Sequence, residues 1–289
     1  MPALNHNGFS FTPSVEPPEQ MPDDALCFLF RRYDLLVWET EPDLTVPSLA
    51  ELAQAGPKVA HWHFLGYWTA AGQTRACYTG DAGDDALAPA GGAFLGLRAL
   101  FGRTQDGLFD VAGRAVQIVD WDRTHQYCSH CGTPTQDQPH ERARICPECG
   151  LTNYPRLSPA VIVRVQRTGA DGRSRILLAR NRRYPGGLFS VLAGFVEPGE
   201  TLEECVAREI WEEVGITVRD ITYMGSQPWP FPHSLMIAFT AEHAAGEIAV
   251  DNIELEEAHW FAAGELPKTP PPPSIANRLI QTWVAANAT

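Results

Sequence analysis

The stretch from residue 194 to 216 constrains this chain more than any other. It reads Gly194-Phe-Val-Glu-Pro-Gly-Glu200, seven residues, then Arg208-Glu209-Ile210-Trp211-Glu212-Glu213-Val214-Gly215-Ile216. A helix is expected through its middle, with Thr201 as N-cap, Glu204 closing a capping box, and Gly215 as the stop. Leu202, Val206, Ile210 and Val214 recur every fourth residue and form an apolar stripe. On a helical wheel Glu213 falls inside that stripe and Glu209 beside it. Both stand toward the helix C-terminus, where an acidic group opposes the macrodipole at about 0.3–1 kcal/mol each. One turn apart, at ~6 Å, they repel by about 3 kcal/mol at an effective dielectric of about 20. Folding chemistry alone does not collect carboxylates in this way, and a divalent cation seated among them would make the cluster tolerable. The competing reading is a solvated acidic helix face.

The cysteines supply the second constraint. Cys128-x2-Cys131, fourteen residues, then Cys146-x2-Cys149 is the spacing of two knuckles that offer four thiolates to one tetrahedral Zn²⁺. Each knuckle is followed by a glycine, Gly132 or Gly150, which permits the tight turn around the metal. Such segments fold on the metal, with apparent binding energies of ~10–16 kcal/mol. Four cysteine ligands leave no open coordination position, so this zinc is expected to be structural. Seven cysteines, four of them in the array, suit a reducing compartment, and the cytoplasm is the expected location. The formal net charge of −13 argues against broad, salt-driven binding along a nucleic-acid backbone. Around the cysteines Asp120, Asp122, Asp137, Glu141 and Glu148 offset Arg123, Arg142 and Arg144. Residues 1–7 lack the basic and apolar segments of a signal peptide, and no apolar run is long enough to span a bilayer.

At 289 residues more than one domain is expected. Residues 1 to about 24, rich in proline, serine and asparagine, read as an irregular arm. From 25 to about 121 short apolar runs alternate with turn signals. Cys27-Phe-Leu-Phe30, Asp34-Leu-Leu-Val-Trp38, residues 58–65 and Arg75-Ala-Cys-Tyr78 read as strands, residues 94–101 as a short helix and 113–119 as part of a longer one. His61 and His63 alternate with aromatics and read as strand residues rather than ligands. Beyond residue 157 the chain reads as strands at 160–165, 175–179, 188–192, 217–225, 234–241 and 258–261, with a closing helix over 274–286. Strands on both sides of helices predict an α/β/α sandwich with a mixed sheet. The expected division is an α+β N-terminal domain over 1–124, a small zinc ribbon over 125–157 and the sandwich over 158–289. Ser226-Gln-Pro-Trp-Pro-Phe-Pro-His-Ser-Leu-Met236 alternates prolines with aromatics and reads as a stiff, extended loop presenting Trp229 and Phe231.

The 194–216 run fits the pattern G-x5-E-x7-R-E-U-x-E-E-x-G-U, with U aliphatic, at every specified position, and so resembles the Nudix hydrolases. The proline-aromatic segment downstream and the four-cysteine array upstream are similar to those of the NADH pyrophosphatase (NudC-type) subfamily, over about residues 95–286. The resemblance implies the Nudix fold and metal-dependent cleavage of NAD(H) to nicotinamide mononucleotide and AMP, removal of NAD caps from RNA, and homodimers. It implies two or three Mg²⁺ or Mn²⁺ ions on Glu209, Glu213, Glu254 and the carbonyl of Ala193, with Glu212 a further ligand or the base. It also implies that Glu200 braces the loop and that Arg208 pairs with a box carboxylate. Gln227, Pro228, Trp229, Pro230, Phe231, Pro232, His233 and Ser234 would embrace the nucleotide. Glu141, Tyr154, Ala276 and Arg98 occupy further substrate-binding places. Two alternatives stay open: a hydrolase preferring ADP-ribose or a dinucleoside polyphosphate, and a non-catalytic zinc-ribbon module binding nucleic acid.

Overall fold

The computed structural model describes residues 8–40, 43–104, 107–182, 186–250 and 253–287. It divides into two units, Met1–Arg156 and Leu157–Thr289. Among the described residues no helix is long and apolar enough to cross a membrane. The expectation about residues 1–7 lies outside the described residues.

In the first unit, β1 (Phe9–Pro13), β2 (Leu26–Arg31), β3 (Asp34–Thr40), β4 (Asp43–Thr45), β5 (His63–Ala70), β6 (Gln73–Asp81) and β7 (Gly92–Gly96) form one sheet. Its order is β1-β5-β6-β2-β3-β4, with β7 on β3. The β2–β6 pair is parallel, and the others are antiparallel. Helix α1 (Leu49–Ala55) is short; α2 (Leu108–Thr124) lies across β2, β5 and β6 and buries Val111, Ala115, Ile118 and Trp121.

Three expectations need correction here. The arm is not wholly irregular, because Phe9–Pro13 pairs with β5 as an edge strand. Residues 94–101 are not a helix: Phe94 and Leu95 pair with Leu36 and Leu35, and only Leu97–Leu100 turn as a 3₁₀ helix. The strand expected from 58 begins at His63, because Val59 and the carbonyl of His61 lie directly over Gly80 of β6, where a Cβ would meet them at 2.5 and 3.0 Å. His63 is therefore a strand residue, as expected, and His61 is not.

The ribbon strands β8 (Gln136–Asp137), β9 (Arg144–Ile145) and β10 (Thr152–Asn153) belong to the same unit. Arg144 fastens them. Its buried guanidinium donates to Thr135 Oγ1 at 2.7 Å, to Asp137 at 3.0 Å and to Asp122 of α2. His63 Nε2 lies 3.3 Å from the other Asp122 oxygen. Arg142 donates to the carbonyls of Ser14 and Phe64 at 3.1 and 2.9 Å. These two ribbon arginines are turned into the fold.

The second unit is built from β11 (Ser158–Thr168), β12 (Ser174–Asn181), β13 (Phe189–Ser190), β14 (Leu192–Phe195), α3 (Leu202–Val214), β15 (Thr217–Trp229), β16 (Ser234–Ala245), β17 (Leu255–Phe261) and α4 (Ile275–Asn287). The strand order is β13-β12-β11-β16-β15, with β14 on β11 and β17 on β12. The sheet is mixed, since β11 and β16 run parallel while their other pairings are antiparallel. Central strand β11 is apolar on both faces because both are covered. Val161, Val163 and Val165 pack with Val206, Ile210 and Val214 of α3, and Ile162 packs on the other side with Ile275, Leu279 and Trp283 of α4. This is the expected α/β/α sandwich.

The segment 226–236 departs from expectation. It is a hairpin rather than a loop, with Gln227 opposite Met236, Pro228 opposite Leu235 and Trp229 opposite Ser234. Pro228 is tolerated because β15 is an edge strand, where a missing N–H costs no ladder bond.

Candidate active site

Helix α3 carries the acidic cluster, and local chemistry fixes both of its ends. Thr201 and Glu204 form the reciprocal capping box, and Gly215, at φ 69°, closes the helix with its N–H on the carbonyl of Trp211. The apolar stripe is buried as expected, Leu202 only in part. Glu213 is 8% exposed and lies in the stripe, and Glu209 is half-buried beside it. Glu209 lies directly against β14. A Cβ at Gly194 would sit 1.8 Å from Glu209 Cδ and 2.1 Å from both carboxylate oxygens. The glycine therefore cradles a carboxylate next to Ala193, an exposed residue of β14.

Arg208 organises the rest. Its guanidinium bonds Glu200 at 2.6 and 3.0 Å, Glu209 at 3.0 Å, Glu212 at 2.9 Å and the carbonyl of Phe195 at 3.0 Å. Glu200 also accepts the N–H of Glu197 at 2.7 Å, so it braces the loop as expected. The Arg208 guanidinium holds the Glu200 carboxyl down to about 2. Burial pushes the Glu209 carboxyl above its ordinary value, against the pull of Arg208. Glu212 is exposed and keeps one oxygen on Arg208.

Glu254 stands just before β17, its carbonyl accepting the N–H of Arg182 at 3.0 Å. Asp251 and Asn252 lie outside the described residues. Two nearby carboxylates are committed elsewhere: Arg180 bonds Glu256 at 2.9 Å and Glu257 at 2.7 Å. Glutamate carboxylates and a backbone carbonyl form an all-oxygen donor set, which fits a hard divalent cation.

The hairpin places Trp229 and Phe231 together, with centroids 5.1 Å apart in an edge-to-face arrangement, both half-buried. Pro230 and Ser234 are buried, Pro228 and Pro232 exposed. His233 accepts the Ser158 N–H on its carbonyl at 2.9 Å and has Ser158 Oγ 3.1 Å from Nδ1. Gln227 reaches away to α4, donating to Pro273 and accepting from Ile275. Ala276 follows, with its side chain buried in the core beneath the sheet.

In the first unit the four thiols gather as the spacing demands. Their Sγ atoms all lie within 4.8 Å of one another, with individual separations of 3.4, 3.6 and 3.7 Å. Tetrahedral zinc with Zn–S near 2.3 Å requires sulfurs about 3.8 Å apart, so the residues fit this metal. The knuckles match each other: Gly132 and Gly150 have φ of 76° and 74°, and their N–H groups meet the carbonyls of Cys128 and Cys146 at 2.9 and 3.0 Å. The hydrogen bond with Thr133 pulls the Cys131 thiol down to about 6. Tyr154, exposed, donates to Glu141 at 2.9 Å, so these two residues are brought together. Arg98 is exposed on the 3₁₀ turn Leu97–Leu100 and belongs to the same unit.

Sequence reasoning missed three features: the Gly194–Glu209 contact, the reach of Gln227 to α4, and Phe195, 59% exposed beside the cluster. For the first, the signal was an obligatory glycine ahead of an acidic helix. The second left no local signal.

Comparison with known proteins agrees with this geometry. A model described as a NUDIX domain matches residues 156–281, an NADH pyrophosphatase-like rudimentary NUDIX domain matches 24–121, and an NADH pyrophosphatase zinc ribbon domain matches 123–154. The chain is 53% identical over 199 residues to the NAD-capped RNA hydrolase NudC of Deinococcus radiodurans, covering 68% of this chain and 70% of that protein. It is 48% identical over 195 residues to the protein of the same name from Pseudomonas fluorescens, covering 68% and 69%. With that of Escherichia coli it shares 49% over 179 residues, covering 62% and 68%.

Proposed function

The chain belongs to the NudC family of zinc-ribbon Nudix hydrolases, and from that premise we propose that it hydrolyses the pyrophosphate of NAD(H) and removes NAD caps from RNA. Water adds to one phosphorus, the bridging P–O bond breaks, and nicotinamide mononucleotide and AMP leave. The observation that carries the reading is the Glu209 carboxylate lodged against bare Gly194, with buried Glu213 one helical turn further along the same helix.

Glu209, Glu213, Glu254 and the carbonyl of Ala193 would hold two or three Mg²⁺ or Mn²⁺ ions. When bound, such ions neutralise charge on the pyrophosphate and acidify a water. Glu212, exposed on the helix and paired with Arg208, would be a further ligand or the base that accepts the proton of the attacking water. Arg208 keeps Glu209 and Glu212 oriented from the protein side. Trp229 and Phe231 offer a stacking surface worth about 1–3 kcal/mol per base. With the rest of the segment 228–234 they hold the nucleotide, and Ala276 contributes from α4. Glu141, Tyr154 and Arg98 take substrate-binding roles on family likeness alone, as does assembly into a homodimer. One zinc on the four cysteines is structural. Seven cysteines, four of them in the zinc array, support the cytoplasm as the location.

The test is direct. The protein, supplied with Mn²⁺ or Mg²⁺, is incubated in turn with NADH, NAD⁺, ADP-ribose and NAD-capped RNA, and products are separated by chromatography. Nicotinamide mononucleotide and AMP are expected from NADH and NAD⁺, and a 5′-monophosphate end from the capped RNA. ADP-ribose turning over much faster than NADH would assign a different substrate. No turnover by metal-replete protein would remove the catalytic reading.

A further inference from the structure

Gln227, expected to embrace the nucleotide, has its side-chain amide turned to α4, with one donor and one acceptor engaged there. Oε1 accepts the backbone N–H of Ile275 at 2.7 Å, and Nε2 donates to the carbonyl of Pro273 at 3.0 Å. Both partners flank Ser274 at the start of α4. The first N–H groups of a helix have no intrahelical acceptor. Ser274 Oγ takes the one of Asn277 at 3.2 Å, and Gln227 takes the one of Ile275 from another element altogether. A second contact lies beside the first. Gly225, at φ 139°, comes so near α4 that a Cβ there would be 2.8 Å from Arg278 Nη2. Gly225 and Gln227 stand opposite Ala238 and Met236, which pack into the core shared with α4. Ala276 follows Ile275 directly and is buried, 7% exposed.

We propose that Gln227 is a positioning residue: its amide clasps the β15–β16 hairpin to the first turn of α4. The clasp keeps Trp229 and Phe231 at a fixed separation from the first turn of α4. Substrate affinity then depends on the clasp and not on a contact between Gln227 and the nucleotide. This rests on the reading that the hairpin binds the nucleotide.

Two variants test it, read by hydrogen exchange at the Ile275 amide and by steady-state kinetics on NADH. Gln227→Met keeps the length and removes both bonds. It is expected to speed exchange at Ile275 about tenfold and to raise KM about tenfold, with kcat within about twofold. Gln227→Glu retains the acceptor for Ile275 but sets an oxygen against the Pro273 carbonyl, so exchange and KM should both fall between those of the parent and of Gln227→Met. If Gln227→Met does not fold, Gln227→Asn, too short to reach Ile275, is read in its place. A raised KM with unchanged exchange at Ile275 would overturn the proposal in favour of direct contact. So would a Gln227→Glu protein that protects Ile275 yet binds as poorly as Gln227→Met. If the parent turned over no dinucleotide while exchange responded as described, the clasp would stand and the substrate reading would fall.

Discussion

Replacing Gly194 by alanine separates the catalytic use of a glycine from its folding use. Gly194 has no positive φ, so alanine meets no backbone strain there. The added Cβ, however, would fall 1.8 Å from Glu209 Cδ and 2.1 Å from both oxygens. To regain an ordinary contact of 3.4 Å the carboxylate must retreat by about 1.3–1.6 Å, the difference between 3.4 and those two distances. The clashing atoms are the far end of a flexible side chain, so the fold can yield at small cost. Stability is expected to change by less than about 1 kcal/mol, or roughly 2–4 °C in Tm. Activity is another matter, since a misplacement of about 1 Å at a reacting centre can cost on the order of 10²-fold. The assay pairs a thermal melt with turnover of NADH across a Mn²⁺ titration. The expected result is an unchanged melt, kcat reduced about 100-fold, and a Mn²⁺ requirement shifted to higher concentration. A Gly194→Ala protein with parental turnover and parental Mn²⁺ dependence would refute the placement of Glu209 in the metal site.

Three other outcomes follow from the geometry. Glu213→Gln, at a buried position of nearly the same volume, should lower turnover by about two orders of magnitude or more while leaving the circular dichroism spectrum unchanged; unaltered activity would remove its metal role. Arg144→Met leaves Asp122 and Asp137 without their shared guanidinium and is expected to destabilise the first unit by about 3–5 kcal/mol in urea titration. Cys146→Ser should cut zinc content, measured by metal analysis, from about one ion per chain to near none and sharply raise the protease sensitivity of residues 125–156. Full zinc retention would mean that the four thiols do not share one metal.

What could be read from residue order alone was whatever is decided locally. Helix α3 was legible because its cap, its stop and its four-residue stripe all lie within the segment itself. The zinc knuckles were legible because ligand spacing and the following glycines are a local geometry. The hairpin at 226–236 was not, because three prolines signal a loop unless the strand is known to lie at a sheet edge, and edge position is a tertiary fact. Residues 58–62 likewise have strand composition, yet Gly80 invites the chain to cross over β6 rather than join it. The partners of Gln227 lie 46 and 48 residues away along the chain. No pattern within β15 announces them. The same holds for Arg180, which fixes two of the three carboxylates that crowd residues 254–257 from a different strand.

The acidic helix also shows why carboxylate density alone is a poor witness for a metal. From sequence the cluster looked tolerable only with a cation inside it, but the chain supplies a cation of its own. Arg208 bridges Glu200, Glu209 and Glu212 within 2.6–3.0 Å, which offsets part of the repulsion among these three. Such a partly exposed network is screened by water, so its worth is modest. It nonetheless permits α3 to fold before any ion arrives. Two placements speak for a metal more than the number of glutamates does. One is Glu213, buried in an apolar stripe where leucine would pack better. The other is Glu209, half-buried and pressed on a glycine. Both work against stability as folding elements, and both become reasonable once they have a hard cation to hold.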